Sequence, residues 1–435
     1  MDYLLLCPLF GPGEQSEEIY ILTLALAPFF CNNHEMNSEN NHTAGIKEKV
    51  NQFVDDQAAH LLEVSHEIHS NPELAFKEFK AAETLTNAIS KNGLPVTKHA
   101  YGLDTAFESR IEIDDGANLA VLAEYDALPG IGHACGHNII ATSALGAVLA
   151  LNEVKNQLHG SITLLGTPAE ERGGGKEVMA RNGAFDRVDA AIMIHPAGVN
   201  LTTMPCICVA EVKAIYHGKS AHASAMPHKG VNALDGLLLA YQGISNLRQH
   251  IQATERIHGI VTEGGQAPNI VPDRAVGEFY VRAKDAEDLA ALKPRVQACF
   301  EAGAKAVGCE LELVWGNVDY LDLNTNWPLA NKFQVNAETL GREFLPIDKL
   351  PMGAGSTDMG NVSHRVPSIH PIIAAAPSHV VIPHPDFARW AASDMGDKAV
   401  LDGAKALAMT AIDYLGDLQL QAEVRHAYEV SKGLS

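Results

Sequence analysis

Apolar residues recur at three- and four-residue spacing from Ile46 to about Lys91, with Val50, Phe53, Val54, Leu61 and Leu62 on one stripe, a pattern that predicts helix. Asn71-Pro72 interrupts it, Pro72 being suited to the first turn of a second helix, and Asn92-Gly93 closes that helix. The period then changes. Asn118-Leu-Ala-Val-Leu-Ala-Glu-Tyr-Asp126 is nearly continuous in apolar residues until its acidic end, as in a strand covered on both faces. Ile139 to Val154 reads as a small-residue apolar helix, Ser161 to Gly166 as a second buried strand and Ala190 to Ile194 as a third. Strand, loop and helix in repetition predict an α/β fold with a mostly parallel sheet flanked by helices.

From about Cys206 the texture differs. Val209–Tyr216 and Ala275–Ala283 alternate like half-exposed strands, Val231–His250 and Ala286–Val307 are helical, and Glu310–Val318 is a further strand. This predicts a small α+β module over 207–320, inserted into a larger domain formed by 45–206 and 321–425. After Tyr320 the chain returns with a helix, a strand around Pro367–Ala375, the loop Ile382–Asp386 and a closing helix from Lys398 to Leu415.

Residues 1–44 stand apart. Tyr3–Phe10 and Ile19–Phe30 are apolar, yet the first Lys or Arg is Lys47. A secretory signal needs a positive start, and Ile19–Phe30 is short for a bilayer span. A disordered or non-native extension is expected here, with export by an atypical segment as the alternative. A chain of 435 residues, 46% hydrophobic and 20% charged, fits a soluble globular protein of two or three domains. Its net charge of −21 argues against nucleic acid or an anionic membrane as partner. Seven cysteines without regular spacing offer no disulfide framework and fit a reducing, cytoplasmic setting.

In parallel sheets ligands collect outside the carboxyl ends of the strands, and Cys135, His137, Glu170, Glu171 and His195 all follow predicted strands. Gly132-His-Ala-Cys-Gly-His-Asn138 sets a thiol between His133 and His137, the sulfur and imidazole donors that zinc and similar metals take. The alternative is a buried cysteine with incidental histidines. Glu170 and Glu171 follow Thr167-Pro-Ala; elsewhere such a pair would be solvated, but in a loop one carboxylate can face a metal and the other its water. Pro196 stops the strand behind His195, which favours a loop-tip ligand over a core histidine. His384 lies in a tail with His364, His370 and His379, and the residues alone do not single it out.

Taken in order, the blocks His69-Ser-Asn-Pro-Glu-Leu74, Glu124-Tyr-Asp-Ala-Leu-Pro129, Gly132–Asn138, Thr167-Pro-Ala-Glu-Glu171, Ile194-His-Pro196, Gly218-Lys-Ser-Ala-His-Ala-Ser224, Ala267–Arg274 and Ile382-Pro-His-Pro-Asp386 resemble one family. It is that of the dinuclear-metal amidohydrolases and dipeptidases related to aminoacylase, carboxypeptidase G-type enzymes and plant auxin-amide hydrolases. The resemblance covers about residues 45 to 420. The Cys-Gly-His-Asn form is similar to the branch of p-aminobenzoyl-glutamate hydrolases and Xaa-Arg (β-alanyl-lysine) dipeptidases.

The resemblance implies a zinc-peptidase type fold with a lid and dimerisation insertion, two divalent ions per chain (zinc or manganese, with cobalt open), and a homodimer. It implies Cys135, His137, Glu171, His195 and His384 as metal ligands and Glu170 as general acid/base. Other branches carry a His-x-Asp metal pair where this chain has Glu124-Tyr-Asp126, so the first histidine ligand is missing; Asp126 is left to orient a ligand. His222 would donate to the substrate oxyanion, and Asn269, Gly355 and Ser356 would grip the substrate carboxylate. The implied activity is hydrolysis of the amide bond of small N-acyl amino acids or dipeptides. The rivals are a non-catalytic metal-binding or regulatory protein on the same fold and a hydrolase with Cys135 as nucleophile.

Overall fold

The computed structural model describes residues 33–346 and 355–434. The chain divides into two units, Met1–His42 and Thr43–Ser435. Most of the expected extension, residues 1–32, lies outside the described residues. Its remaining residues, 33–44, expected as disordered with the rest, are instead helical, within α1 (Asn33–Asp56). Once the stripe from Ile46 forms a helix, each added residue gains one hydrogen bond for one residue fixed, against three for the first turn.

In the second unit α2 (Ala58–Ser70) and α3 (Phe79–Lys91) precede β1 (Thr97–Lys98), β2 (Phe107–Glu112) and β3 (Asn118–Glu124). Then come α4 (His137–Glu153), β4 (Ser161–Thr167), α5 (Gly175–Arg181), β5 (Ala190–Ile192) and β6 (His195–Ala197). The insertion holds β7 (Cys208–His217), α6 (Ala233–Leu247), β8 (Arg256–Glu263), β9 (Arg274–Ala283), α7 (Ala286–Val307) and β10 (Glu310–Trp315). The return carries α8 (Trp327–Thr339), α9 (Met359–Ser363), β11 (Ser368–Ile369), β12 (Ile372–Ala374), α10 (Pro385–Trp390), α11 (Asp394–Gly416) and α12 (Leu418–Ser431).

The main sheet has the order β1-β2-β4-β3-β5-β11, parallel from β4 to β11 and antiparallel at the β1-β2 edge. Every residue of β3 and β4 is buried, which is why both read as unbroken apolar runs. Helix α4 packs on α11 through small residues: a Cβ on Gly146 would lie 2.9 Å from the Ala404 methyl, and one on Gly403 2.7 Å from Ser143 Oγ. The insertion is an antiparallel sheet, β10-β7-β9-β8, with its own core against α6 and α7. No described helix is long and apolar enough to cross a membrane.

Several expectations need correction. Pro72 does not start a helix; residues 71–78 form a loop before α3. His195-Pro196 is not a loop tip but opens β6, which pairs in parallel with β12. The proline is tolerated because this two-stranded sheet leaves its missing N–H without a required acceptor. The expected strand Pro367–Ala375 is split in two around Pro371. β2, β8 and α12 had no expectation; β8 carries Gly259 and mostly exposed residues, so its alternation is weak.

Candidate active site

The loops after β3 and β4, the first residue of β6 and the start of α4 deliver side chains to one place. β3 ends at Glu124 and is followed by Asp126; the next turn carries Cys135, and His137 is the first residue of α4. Gly136 has φ 75°, and a Cβ there would sit 2.7 Å from Pro196 Cγ, so only glycine lets the loop close onto β6. After β4 the chain turns sharply through Ala169, at φ 62°, to present Glu170 and Glu171.

Ligand-type atoms of Cys135, His137 and Glu171 lie within 4.8 Å of one another, as do those of Glu124, His137 and His195, and those of Glu124, Glu170 and Asp358. His137 is almost wholly buried, with Nδ1 3.2 Å from Asp126 Oδ1 and Nε2 3.1 Å from Glu124 Oε1 and 3.8 Å from Glu171 Oε1. Its ring meets that of His195 edge-on, centroids 5.9 Å apart. Asp126 also accepts the backbone N–H of Glu171 at 2.9 Å, so one carboxylate orients two neighbours of the site.

Burial drives most of the electrostatics. It opposes charge on His137, but Glu124, Asp126 and Cys135 overcome it and hold the imidazole pKa well above its ordinary value. Burial would likewise raise Asp126, yet His137 and the Glu171 amide keep it below the usual range. Glu170 is driven well above the carboxylate range by burial and by Glu124, Glu171 and Asp358. Glu171 is raised by burial, and His195 falls to about 4 through burial and the adjacent His137. Burial pushes the Cys135 thiol up, so without a cation it is no ready nucleophile.

The donors fit a divalent metal. His195 Nδ1 is 2.8 Å from the Pro196 carbonyl, which takes up that N–H and leaves the Nε2 lone pair free. His137 Nε2 and Glu124 Oε1 are buried, face each other and have no hydrogen-bond partner. Two orphaned buried atoms beside a thiol and a second carboxylate are what a cation would satisfy.

Other sequence candidates fall elsewhere. His384 is not in any of these groups: it is half exposed and caps α10, its Nδ1 accepting the Asp386 N–H at 3.1 Å. His133 packs on His69 and contacts the Ile68 carbonyl at 3.1 Å. His222 and Asn269 share an exposed corner of the insertion, where His222 pairs with Ile270 and the Asn269 carbonyl accepts the Ala223 N–H. Gly355 pairs with Cys206, and Ser356 donates to the Ile207 carbonyl at 2.6 Å while accepting from Arg282 Nη1 at 2.9 Å. Sequence reasoning missed Glu124, Asp358, Lys176 and Arg282. Only Glu124 left a signal, its position at the carboxyl end of a buried strand. A cleft of about 610 Å³ runs from Glu171 and Arg172 to the insertion sheet, lined there by Glu211, His258, Glu278 and Tyr280.

Residues 120–411 match the family model described as peptidase family M20/M25/M40. The chain belongs to this family. It is 37% identical over 400 residues to the mouse (Mus musculus) Xaa-Arg dipeptidase, covering 88% of this chain and 92% of that protein. It is 32% identical over 285 residues to one of the p-aminobenzoyl-glutamate hydrolase chains of Escherichia coli, covering 59% of this chain and 58% of that one. Among solved structures, a dinuclear metal binding peptidase of this family from Bacillus subtilis superposes with a TM-score of 0.64 at 21% identity, over 83% of this chain and 99% of that one. Family membership makes the chain a hydrolase of peptide-type bonds, and it bears out the α/β architecture read from the strand pattern.

Proposed function

We propose that the protein is a dipeptidase that uses two divalent ions held by Cys135, His137, Glu171 and His195, with His384 joining from the α10 loop and Glu124 as a further oxygen donor. When bound, such ions supply Lewis acidity and lower the pKa of water toward neutrality. Glu170 would accept a proton from the attacking water and return it to the leaving amine. The observation that carries this assignment is the burial of Glu170 beside the donor group, its carboxylate within 4.8 Å of those of Glu124 and Asp358, which holds its pKa well above the usual carboxylate range. His222 Nδ1 accepts N–H groups from Ser224 and Ala225, at 3.4 and 3.2 Å, which leaves Nε2–H as the donor for an oxyanion in the partner's site of a homodimer, since His222 lies beyond the end of β7 remote from Glu170.

The substrate class proposed is a dipeptide with a basic carboxyl-terminal residue. The likeness to the Xaa-Arg dipeptidase supports it, as does Glu211 on the cleft wall, whose neighbour Glu278 is paired with Lys213 at 3.5 Å. Arg282, held by Ser356 and stacked over Tyr280, is the cation for the substrate carboxylate, with Gly355 as a further contact; Asn269 lies beyond the opposite end of β7 and β9 and would join from a second copy of the chain. Zinc or manganese, with cobalt open, matches sulfur, nitrogen and oxygen donors together. A homodimer through the insertion and a cytoplasmic location complete the proposal; the five described cysteines, all free, fit the latter.

The test is Glu170→Gln in zinc-loaded protein, assayed on an arginine-terminated dipeptide alongside N-acyl amino acids. Turnover should fall by roughly 10²–10⁴-fold with metal content unchanged. Near-normal rates would overturn the assignment of Glu170.

A further inference from the structure

Tyr320 has no part in the chemistry above, yet it touches the loop that performs it. The chain enters the insertion through residues 206–209 and leaves through 316–322. These two crossing segments are joined where Val209 and Tyr320 exchange both backbone hydrogen bonds, each 2.9 Å. On its other side the outgoing segment is held by α9: Asn361 Nδ2 donates to the Asp319 carbonyl at 3.0 Å, and the Leu321 N–H donates to Asn361 Oδ1 at 3.1 Å. Tyr320 therefore sits at the hinge, one edge on the catalytic domain and the other on the strand that runs into the lid.

Its phenol reaches into the catalytic loop. The hydroxyl donates to the Glu170 carbonyl at 2.5 Å and accepts the Gly174 N–H at 2.9 Å, stapling the turn shut with one oxygen. The rest of that turn is braced from the catalytic domain, where Glu78 accepts the Ala169 N–H and Asp126 the Glu171 N–H, both at 2.9 Å. Gly174 has φ +66°, and a Cβ on it would lie 2.6 Å from Val318 Cγ1 and 3.1 Å from Tyr320 Cε1. Glycine at 174 is thus what allows the hinge to come this close. Hinge and catalytic loop are built against each other.

We propose that Tyr320 is a positioning residue whose hydroxyl fixes the backbone of Glu170 and ties it to the hinge, so that the setting of the lid is felt at the general base. The proposal rests on Glu170 being that base. Without the hydroxyl, the Glu170 carbonyl and the Gly174 N–H lose their shared partner, and the turn must seek other contacts. The side chain of Glu170 then samples more orientations than the one that serves proton transfer. Substrate contacts made by the insertion-sheet wall of the cleft, Glu211, His258 and Tyr280, are untouched, so binding and turnover should separate.

Tyr320→Phe keeps the ring and removes only the hydroxyl. In zinc-loaded full-length protein with an arginine-terminated dipeptide, we expect kcat to fall about tenfold or more with KM within about twofold. Hydrogen exchange should quicken in residues 168–176 and 316–322 and stay unchanged elsewhere. Wild-type kcat, unchanged exchange in 168–176, or faster exchange across the whole chain would each overturn the proposal. Glu170→Gln run in parallel separates the two ideas. Loss of turnover there beside a wild-type Tyr320→Phe removes the positioning role alone. Full turnover by Glu170→Gln removes the base assignment and the positioning role with it.

Discussion

The ammonium of Lys176 lies 2.6 Å from Asp358 Oδ1, and both side chains are fully buried. Lys176 also meets Glu124 on its other side, and its backbone N–H donates to Asp358 Oδ2 at 2.8 Å. Burial alone would favour the neutral amine, but Asp358 and Glu124 outweigh it and raise the lysine pKa. Asp358 sits at about 6, raised by burial and held back by Lys176. One fixed cation is therefore wedged among Glu124, Glu170 and Asp358, whose oxygens lie within 4.8 Å. Lys176→Met should leave these acids without a counter-charge and destabilise the metal-free protein by about 3–5 kcal/mol. Urea unfolding measures this; a loss under about 1 kcal/mol would show that the pair is not needed.

Lys176 was invisible in the sequence because it follows Gly173-Gly-Gly and reads as a solvated lysine in a turn. Its partner is 182 positions away, and nothing local announces it. Cys135, His137, Glu171 and His195 were legible for the opposite reason: each lies beside the end of a buried strand, and the parallel sheet brings those ends together. At Glu124 the sequence shows only the loss of a histidine, while the fold puts its carboxylate 3.1 Å from His137 at that same strand end. His384 was legible only through resemblance, and its capping contact with Asp386 keeps its ring in solvent in this structure. The parallel core was readable because β3 and β4 are covered on both faces. β8 was not, because an edge strand with one exposed face and a central glycine loses its period.

Asp126 holds His137 through Nδ1 and Glu171 through its amide, at 3.2 and 2.9 Å. Asp126→Asn keeps the shape but weakens the pull on the imidazole proton. Metal affinity should drop about 10–100-fold, read by competition with a coloured chelator. Unchanged affinity would mean that His137 is oriented by other groups.

Glu78 is buried, with Thr105 Oγ1 at 2.8 Å and the Phe76 and Ala169 amides at 2.9 Å. Burial, then Asp126, lifts its pKa from 4.5 to about 7, against smaller effects of these hydrogen bonds. A carboxyl raised on folding contributes stability that is full below its unfolded value of 4.5 and is lost as pH rises through about 7. The melting temperature of metal-free wild type should therefore decline between about pH 5 and 7.5 relative to Glu78→Gln, which has no proton to lose there. The difference approaches about 3 kcal/mol at the upper end. Parallel curves for the two proteins would refute the shift.

β8 closes one side of the insertion sheet and, among the described residues, has β9 as its only strand partner, so its outer backbone edge is open there. Ile260 on this strand is 64% exposed and Val261 40%, an unusual surface for an edge left in water. Helix α6 adds Leu238 and Leu239, 50% and 48% exposed, and its Leu234 flanks Gly264 just beyond β8. Neighbouring apolar helix and strand surfaces of this kind fit a self-complementary partner, since a two-fold axis places the same elements opposite each other. Sedimentation velocity should give a dimer for the wild type at micromolar concentration. The double variant Leu238→Glu/Leu239→Glu should be monomeric with its melting temperature little changed, because both side chains lie outside the α6–α7 core. A monomeric wild type would remove the dimer, and a variant that stays dimeric would move the interface away from α6.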